Sequence, residues 1–113
     1  MENKKDAQEN KKRIEQINTG NKENNVVFIG SKPLVNYIRG VITQFTRWDA
    51  PEVTIKSRGK FISKAVDVAE VARRSMEDTK INIKAINIAS ESFESEGKRT
   101  NISTMDIVLE RQK

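Results

Sequence analysis

Two copies of one local pattern dominate this sequence: a short apolar strand, then a basic loop, then an amphipathic helix. The first strand, residues 26–29, reads as buried and precedes the loop Gly-Ser-Lys-Pro at 30–33. The second, residues 52–56, alternates polar and apolar side chains and precedes Ser-Arg-Gly-Lys at 57–60. When a helix connects two parallel neighbouring strands, both strand-to-helix loops emerge at one edge of the sheet. The pattern therefore predicts one continuous basic surface.

Each loop opens a helical stripe. Apolar residues recur at helical spacing over residues 34–45 and again over residues 62–76. Gly40 interrupts the first stripe, and we expect it to allow close helix packing, since it costs about 1 kcal/mol relative to alanine. Val68 and Val71 lie off the second stripe. They indicate either side-wall packing or a subunit contact.

Two strands are predicted near the C-terminus, over residues 80–90 and 100–110. The apolar positions change parity within each, which requires a bulge or a strong twist near 84–85 and near 104–105. Turn residues at 95–98 indicate that this ribbon projects as an arm. The order β-α-β-α-β-β predicts an α+β two-layer sandwich with a projecting hairpin of the third and fourth strands.

The length of 113 residues fits one domain. Residues 1–24 are polar and poor in large apolar side chains, so we expect a disordered tail before a folded domain at residues 25–113. The tail holds six basic and five acidic side chains, and most of the net charge of +5 therefore belongs to the domain. A basic domain favours a polyanionic partner, although a highly soluble surface has a similar composition.

The sequence contains no cysteine and no histidine. Thiol and imidazole nucleophiles, the usual general base and the usual zinc ligands are therefore excluded. Asp67 and Glu70 are interpreted as a solvated helix face rather than an acid–base pair. We expect no enzyme, no cofactor, no metal site and no small-molecule substrate. We also expect a soluble, intracellular protein without a membrane partner, because no apolar run is long enough for a membrane span or a signal peptide.

The basic loops are the candidate site. A backbone that leaves a strand and begins a helix directs free N–H groups outward, and the helix dipole adds positive potential. Gly59 lets the backbone approach a ligand closely. Each lysine or arginine has the alternative interpretation of a solvated surface charge, as does Lys64. The candidate nucleic-acid-binding residues are Ser31, Lys32, Lys56, Arg58, Gly59 and Lys60 in the loops, and Lys98 and Arg99 at the hairpin tip.

Three aromatic residues border this region. Tyr37 is predicted to pack in the core with its hydroxyl at the surface, and Trp48 to pack at the end of the first helix. Phe61 follows the second basic loop. Packing at the start of the helix is the leading interpretation for Phe61, with stacking on a nucleobase as the open alternative.

Three segments in order, NVVFIGSKPLVNY at 25–37, IKSRGKFISKAVD at 55–67 and ISTMDI at 102–107, resemble the Alba family of archaeal chromatin proteins. The resemblance covers about residues 25–111. It implies a homodimeric domain similar in fold to the C-terminal domain of a bacterial translation initiation factor. It also implies sequence-independent binding and compaction of double-stranded DNA, binding of RNA as well, and a cytoplasmic, chromosome-associated location.

The resemblance also assigns roles to individual residues. It implies that Lys32, Arg58 and Lys60 lie over the nucleic-acid backbone, and that the hairpin tip at Gly97 and Lys98 reaches along the minor groove. The arm also carries Glu91, Glu94 and Glu96, which repel phosphates.

The first loop departs from the family pattern. The family's usual Lys-Lys-Pro reads Ser31-Lys32-Pro33 here, so the first lysine, an acetylation position in the family, is absent. The resemblance therefore implies that one phosphate contact per subunit is lost with it.

Two other functions remain open from the sequence. One is an RNA-binding ribonucleoprotein subunit or RNA chaperone on the same fold. The other is a dimerisation module that binds no nucleic acid. For the dimer contact itself, the sequence nominates Val68, Val71 and the end of the second helix near Met76.

Overall fold

The structure is a computed structural model, and it describes residues 25–112. The elements are β1 (Val26–Phe28), α1 (Leu34–Thr46), β2 (Glu52–Arg58), α2 (Ile62–Ser75), β3 (Ile81–Ser95) and β4 (Lys98–Arg111), with a 3-10 turn at Gly59–Phe61 before α2. The predicted order β-α-β-α-β-β is confirmed. The predicted disordered tail at residues 1–24 lies outside the described residues.

The four strands form one mixed sheet in the order β1-β2-β4-β3. β1 and β2 are parallel, as predicted, while β4 is antiparallel to both of its neighbours. Along β2, Val53, Ile55 and Ser57 are buried, whereas the alternate residues are partly or fully exposed. This alternation arises because the two helices cover one face of the sheet and leave the other open.

The core lies between the helices and the covered face of the sheet. Val68 is fully buried there, so the side-wall interpretation holds and Val68 cannot contact a second subunit; Val71 is half-buried. Gly40 does not serve close packing within the subunit, because no atom outside the adjoining α1 backbone lies within 4 Å of where its Cβ would stand. The largest fully buried side chains are Phe45, Ile55, Leu109, Val41, Val53 and Val68.

The bulge predicted near residues 84–85 is confirmed. Ile83 pairs with Leu109 and Ala85 with Val108, so Lys84 is the extra residue of β3. Because the bulge reverses the alternation, the isoleucines before and after it, at 81, 83, 86 and 88, all lie on the covered side of the sheet. The Lys84 ammonium donates a hydrogen bond to Glu52, which raises the pKa of Lys84.

Near residues 104–105 the sequence predicts a bulge or a strong twist, and the bulge is wrong. The pairing of β4 with β3 runs without interruption from Lys98 to Val108. Ile102 therefore lies on the open face, opposite to Met105 and Ile107. The apolar residues of β4 change faces because Ile102 packs against the 3-10 turn. A Cβ placed on Gly59 in that turn would lie 3.0 Å from Cδ1 of Ile102.

The hairpin of β3 and β4 is longer than the sequence predicts. Pairing continues out to Ser95 and Lys98, and the two turn residues, Glu96 and Gly97, both have positive φ (52° and 78°). All residues from 89 to 101 are exposed. The molecule accordingly measures 51 × 28 × 23 Å, which fits a body with a projecting arm.

Candidate nucleic-acid interface

The first basic loop is held in shape by Tyr37 of α1. The Tyr37 hydroxyl accepts hydrogen bonds from the backbone N–H groups of Gly30 (3.0 Å) and Lys32 (3.1 Å). The expectation of free N–H groups is therefore wrong for these two positions. The aromatic ring of Tyr37 packs against the core, as the sequence predicts.

Lys64 fastens this loop to α2. Its ammonium donates to the carbonyl oxygens of Gly30 (2.7 Å) and Lys32 (2.5 Å), and lies 5.2 Å from the centre of the Tyr37 ring. Lys64 is one helical turn beyond Lys60, so the two basic loops lie side by side, as the parallel strands predict. Because the Lys64 ammonium is hydrogen-bonded to these carbonyl oxygens, Lys64 holds the first basic loop in position.

The second basic loop contacts the base of the arm. An Nη2 of Arg58 lies 2.9 Å from Oε1 of Glu91, and both side chains are 57% exposed. Gly59 adopts a φ of 52°, in the left-handed region that glycine tolerates best. The Lys60 ammonium lies 5.4 Å from the centre of the Phe61 ring.

The remaining loop candidates differ in how far their charges are already neutralised. Lys56 forms an ion pair of 2.9 Å with Asp106 on the open face of the sheet. Lys32 and Lys60 are exposed and form no ion pair with any residue between 25 and 112. Ser31 is exposed beside Lys32, where the hydroxyl adds a donor without charge.

Lys98 and Arg99 lie apart from the loop surface. Lys98 is four residue pairs further along the hairpin than Glu91, which is roughly 13 Å at the rise of a β-strand. Arg99 stands directly opposite Glu94. The structure therefore brings together the loop candidates and separates the two hairpin candidates from them.

A groove on the open face adjoins the second loop, and the sequence does not predict it. It has a volume of about 810 Å³ and is lined by β1, β2, the 3-10 turn, Glu91 and β4. Phe28 is 50% exposed at this groove. The prediction that residues 26–29 form a buried strand is wrong at Phe28, because the helices cover only one face. A continuous apolar run carries no signal for which side of an edge strand faces solvent.

Within residues 25–112, no three or more acidic side chains cluster in a way that could hold a metal ion. No helix in that part of the chain is long and apolar enough to cross a membrane.

Comparison with known sequences identifies the family. The sequence profile of the Alba family matches residues 25–90. The "DNA/RNA-binding protein Alba" of Methanocella arvoryzae is 47% identical over 90 residues, covering 79% of this chain and 92% of that protein. "DNA/RNA-binding protein Alba 1" of Archaeoglobus fulgidus is 45% identical over 89 residues, covering 78% and 97%. The chain belongs to the Alba family.

Solved structures agree with the fold. Alba from Thermoplasma volcanium superposes with a TM-score of 0.69 at 40% identity, covering 76% of this chain and 99% of that one. ALBA1 from Trypanosoma brucei superposes with a TM-score of 0.61 at 18% identity, covering 80% and 71%. The second likeness concerns the fold alone. The α+β sandwich predicted from the sequence is the Alba fold.

Proposed function

We propose that this protein binds double-stranded DNA through phosphate contacts, without reading the base sequence, and compacts it. The observation that carries the proposal is the adjacency of two basic loops, tied together by Lys64, with Lys32 and Lys60 unpaired among residues 25–112. Relatives named DNA/RNA-binding protein Alba support a nucleic-acid partner. Chromosome association within the cytoplasm follows from the same proposal.

Counterion release supplies the affinity. Lysine and arginine replace cations condensed along the phosphates, so the binding constant falls as salt rises. Lys32, Arg58 and Lys60 give six phosphate contacts in a dimer. The expected slope of log K against log salt is roughly −0.9 × 6, about −5.

A titration of duplex DNA across salt concentrations tests this surface. The double variant Lys32→Ala, Arg58→Ala removes four contacts per dimer, so the slope should fall to about −2. The matched control is Arg74→Ala, Lys80→Ala, which removes the same charge from two exposed positions, one in the last turn of α2 and one in the loop before β3. A wild-type slope near zero, or an equal loss of slope in both variants, would contradict the proposed surface.

Compaction is tested on a single tethered DNA duplex, which should shorten when the protein is added.

RNA is the second candidate partner, and the relatives' names include it. A ribonucleoprotein subunit or RNA chaperone would use the same cations, because phosphates are common to both polymers. Competition between a duplex DNA and a structured RNA at physiological salt separates the two. A clear RNA preference would move the function to RNA metabolism. If the protein binds neither polymer, the remaining function is a dimerisation module.

We further propose that the protein is a homodimer and that an exposed isoleucine row on β3 forms the contact. Ile83, Ile86 and Ile88 are 39%, 53% and 74% exposed, on the covered side of the sheet but beyond the helices. β3 is also an edge strand. An apolar row on an open edge favours association with a second copy. We therefore propose this row as the dimer contact in place of Val68, which is fully buried.

Sedimentation velocity tests the dimer. We expect a dimer for the wild type at micromolar concentration and a monomer for the variant Ile86→Asp, Ile88→Asp. Val35→Asp is the control, because Val35 is 47% exposed on α1, away from β3. A wild-type monomer would contradict the homodimer. A dimer that survives both isoleucine changes would move the contact to another surface.

A further inference from the structure

We propose that the groove on the open face binds a single unpaired nucleobase, with the phosphate beside it held by Arg58 and Lys60. The ligand is an unpaired nucleotide within a longer strand, from an RNA loop or from single-stranded DNA. The inference rests on the proposed nucleic-acid function and adds a second mode of contact, in which a base and not only a phosphate is bound.

The geometry places an aromatic wall beside the basic loop. Phe28 aligns with Lys56 across the parallel β1–β2 pair, and Lys56 aligns with Asp106 across β2–β4. All three side chains therefore lie on the open face. Ile102 contributes an apolar surface next to the 3-10 turn, and Phe61 lines the groove from that turn.

The Phe28 ring is the surface available for stacking. Phe28 is half exposed, and it is absent from the side chains that form or border the core. Phe61 packs against the core and carries the ammonium groups of Lys60 and Lys64 near its ring, at 5.4 and 5.8 Å. A base that enters the groove can therefore stack on Phe28, while Phe61 keeps its structural role.

The charges at the groove fit a nucleotide. Three cations line it, and two of them are paired, Lys56 with Asp106 and Arg58 with Glu91. The Arg58–Glu91 pair is more than half exposed, so a phosphate can displace Glu91 at little cost. Carboxylates also accept hydrogen bonds from the exocyclic amino groups of bases.

A paired base does not suit this groove. In a duplex, both faces of each base are stacked on neighbours, so an aromatic ring inside a concave site cannot reach them. Unpaired bases can leave the stack and bind aromatic side chains, and such binding tolerates any sequence because every base has a π-face. The groove volume of about 810 Å³ is within the range of small-molecule sites.

The experiment compares Phe28→Leu with Phe28→Tyr in the full-length protein. The probes are a short unstructured RNA, a single-stranded DNA of the same sequence, and a duplex DNA. The two single strands carry 2-aminopurine at one position. Phe28→Leu should weaken binding of the unpaired strands roughly 5- to 150-fold, the usual range for loss of one base–aromatic stack. Phe28→Tyr should restore affinity and the 2-aminopurine quenching. Duplex affinity should be the same for all three proteins.

A matched control is Phe93→Leu, because Phe93 is 44% exposed on the hairpin and does not line the groove. Unchanged affinity of Phe28→Leu for unpaired strands would overturn the base site while duplex binding stood. An equal loss with Phe93→Leu would also overturn it. Failure of the wild type to bind any probe would instead overturn the proposed function. A loss confined to the RNA probe supports the site with an RNA ligand, and a loss with both probes supports recognition of the base alone.

Discussion

Arg58 and Glu91 form an ion pair of 2.9 Å between the second basic loop and the base of the arm. Arg58 is a proposed phosphate contact, so Glu91 occupies the position that a phosphate oxygen would take. The arm and the loop are thereby coupled: a nucleic acid that reaches Arg58 must first compete with a carboxylate of the same chain.

Glu91→Gln should strengthen duplex DNA binding. The exposed pair is worth about 0.2–1 kcal/mol, so we expect roughly 1.5- to 5-fold tighter binding per subunit. The salt slope should change little, because Arg58 displaces the same condensed cation from the DNA in either protein. A titration across salt concentrations measures both quantities. Glu94→Gln makes the same charge change at a position without an ion pair among residues 25–112; equal gains in both variants would assign the effect to net charge alone.

Tyr37→Phe should loosen the first basic loop. The change removes the acceptor of the Gly30 and Lys32 N–H groups while the ring stays in place. Gly30 is half-buried, so its lost hydrogen bond should lower the free energy of unfolding by about 1 kcal/mol. Urea denaturation measures that loss. DNA affinity should fall as well, since among residues 25–112 only Lys64 then holds the Lys32 backbone. An unchanged affinity would show that the shape of the loop does not matter for binding.

Local patterns are sufficient to predict much of this fold. Helical spacing predicts both helices, and tandem βα units predict the parallel β1–β2 pair and the adjacent loops. The parity change at Lys84 predicts the bulge. Each of these features depends on residues close together in the chain, where period and turn chemistry carry the signal.

The missed features depend on contacts between distant residues. The same kind of parity change produces a bulge at Lys84 but an outward-facing side chain at Ile102, and only the position of the 3-10 turn distinguishes them. The Arg58–Glu91 pair joins residues 33 positions apart. The exposure of Phe28 depends on which face the helices cover. No local pattern encodes these relationships, so the site's partners could be found only in the folded structure.

Gly59→Ala should destabilise the protein. Gly59 has a φ of 52°, and a Cβ there would lie 3.0 Å from Cδ1 of Ile102. The left-handed conformation costs a residue with a Cβ roughly 1–2 kcal/mol, so the free energy of unfolding should fall by about that amount. Urea denaturation followed by circular dichroism measures it. A neutral result would mean that the turn relaxes to a negative φ.

Gly40→Ala should have the opposite effect. Gly40 lies in the middle of α1, and a Cβ there would meet no atom within 4 Å. Alanine restricts the unfolded chain and favours the helix, so the free energy of unfolding should rise by about 0.5–1 kcal/mol. The same urea titration measures this gain. DNA affinity should not change, because Gly40 is two helical turns away from the first basic loop. A loss of stability, accompanied by weaker self-association in sedimentation, would instead mean that a second subunit packs against Gly40.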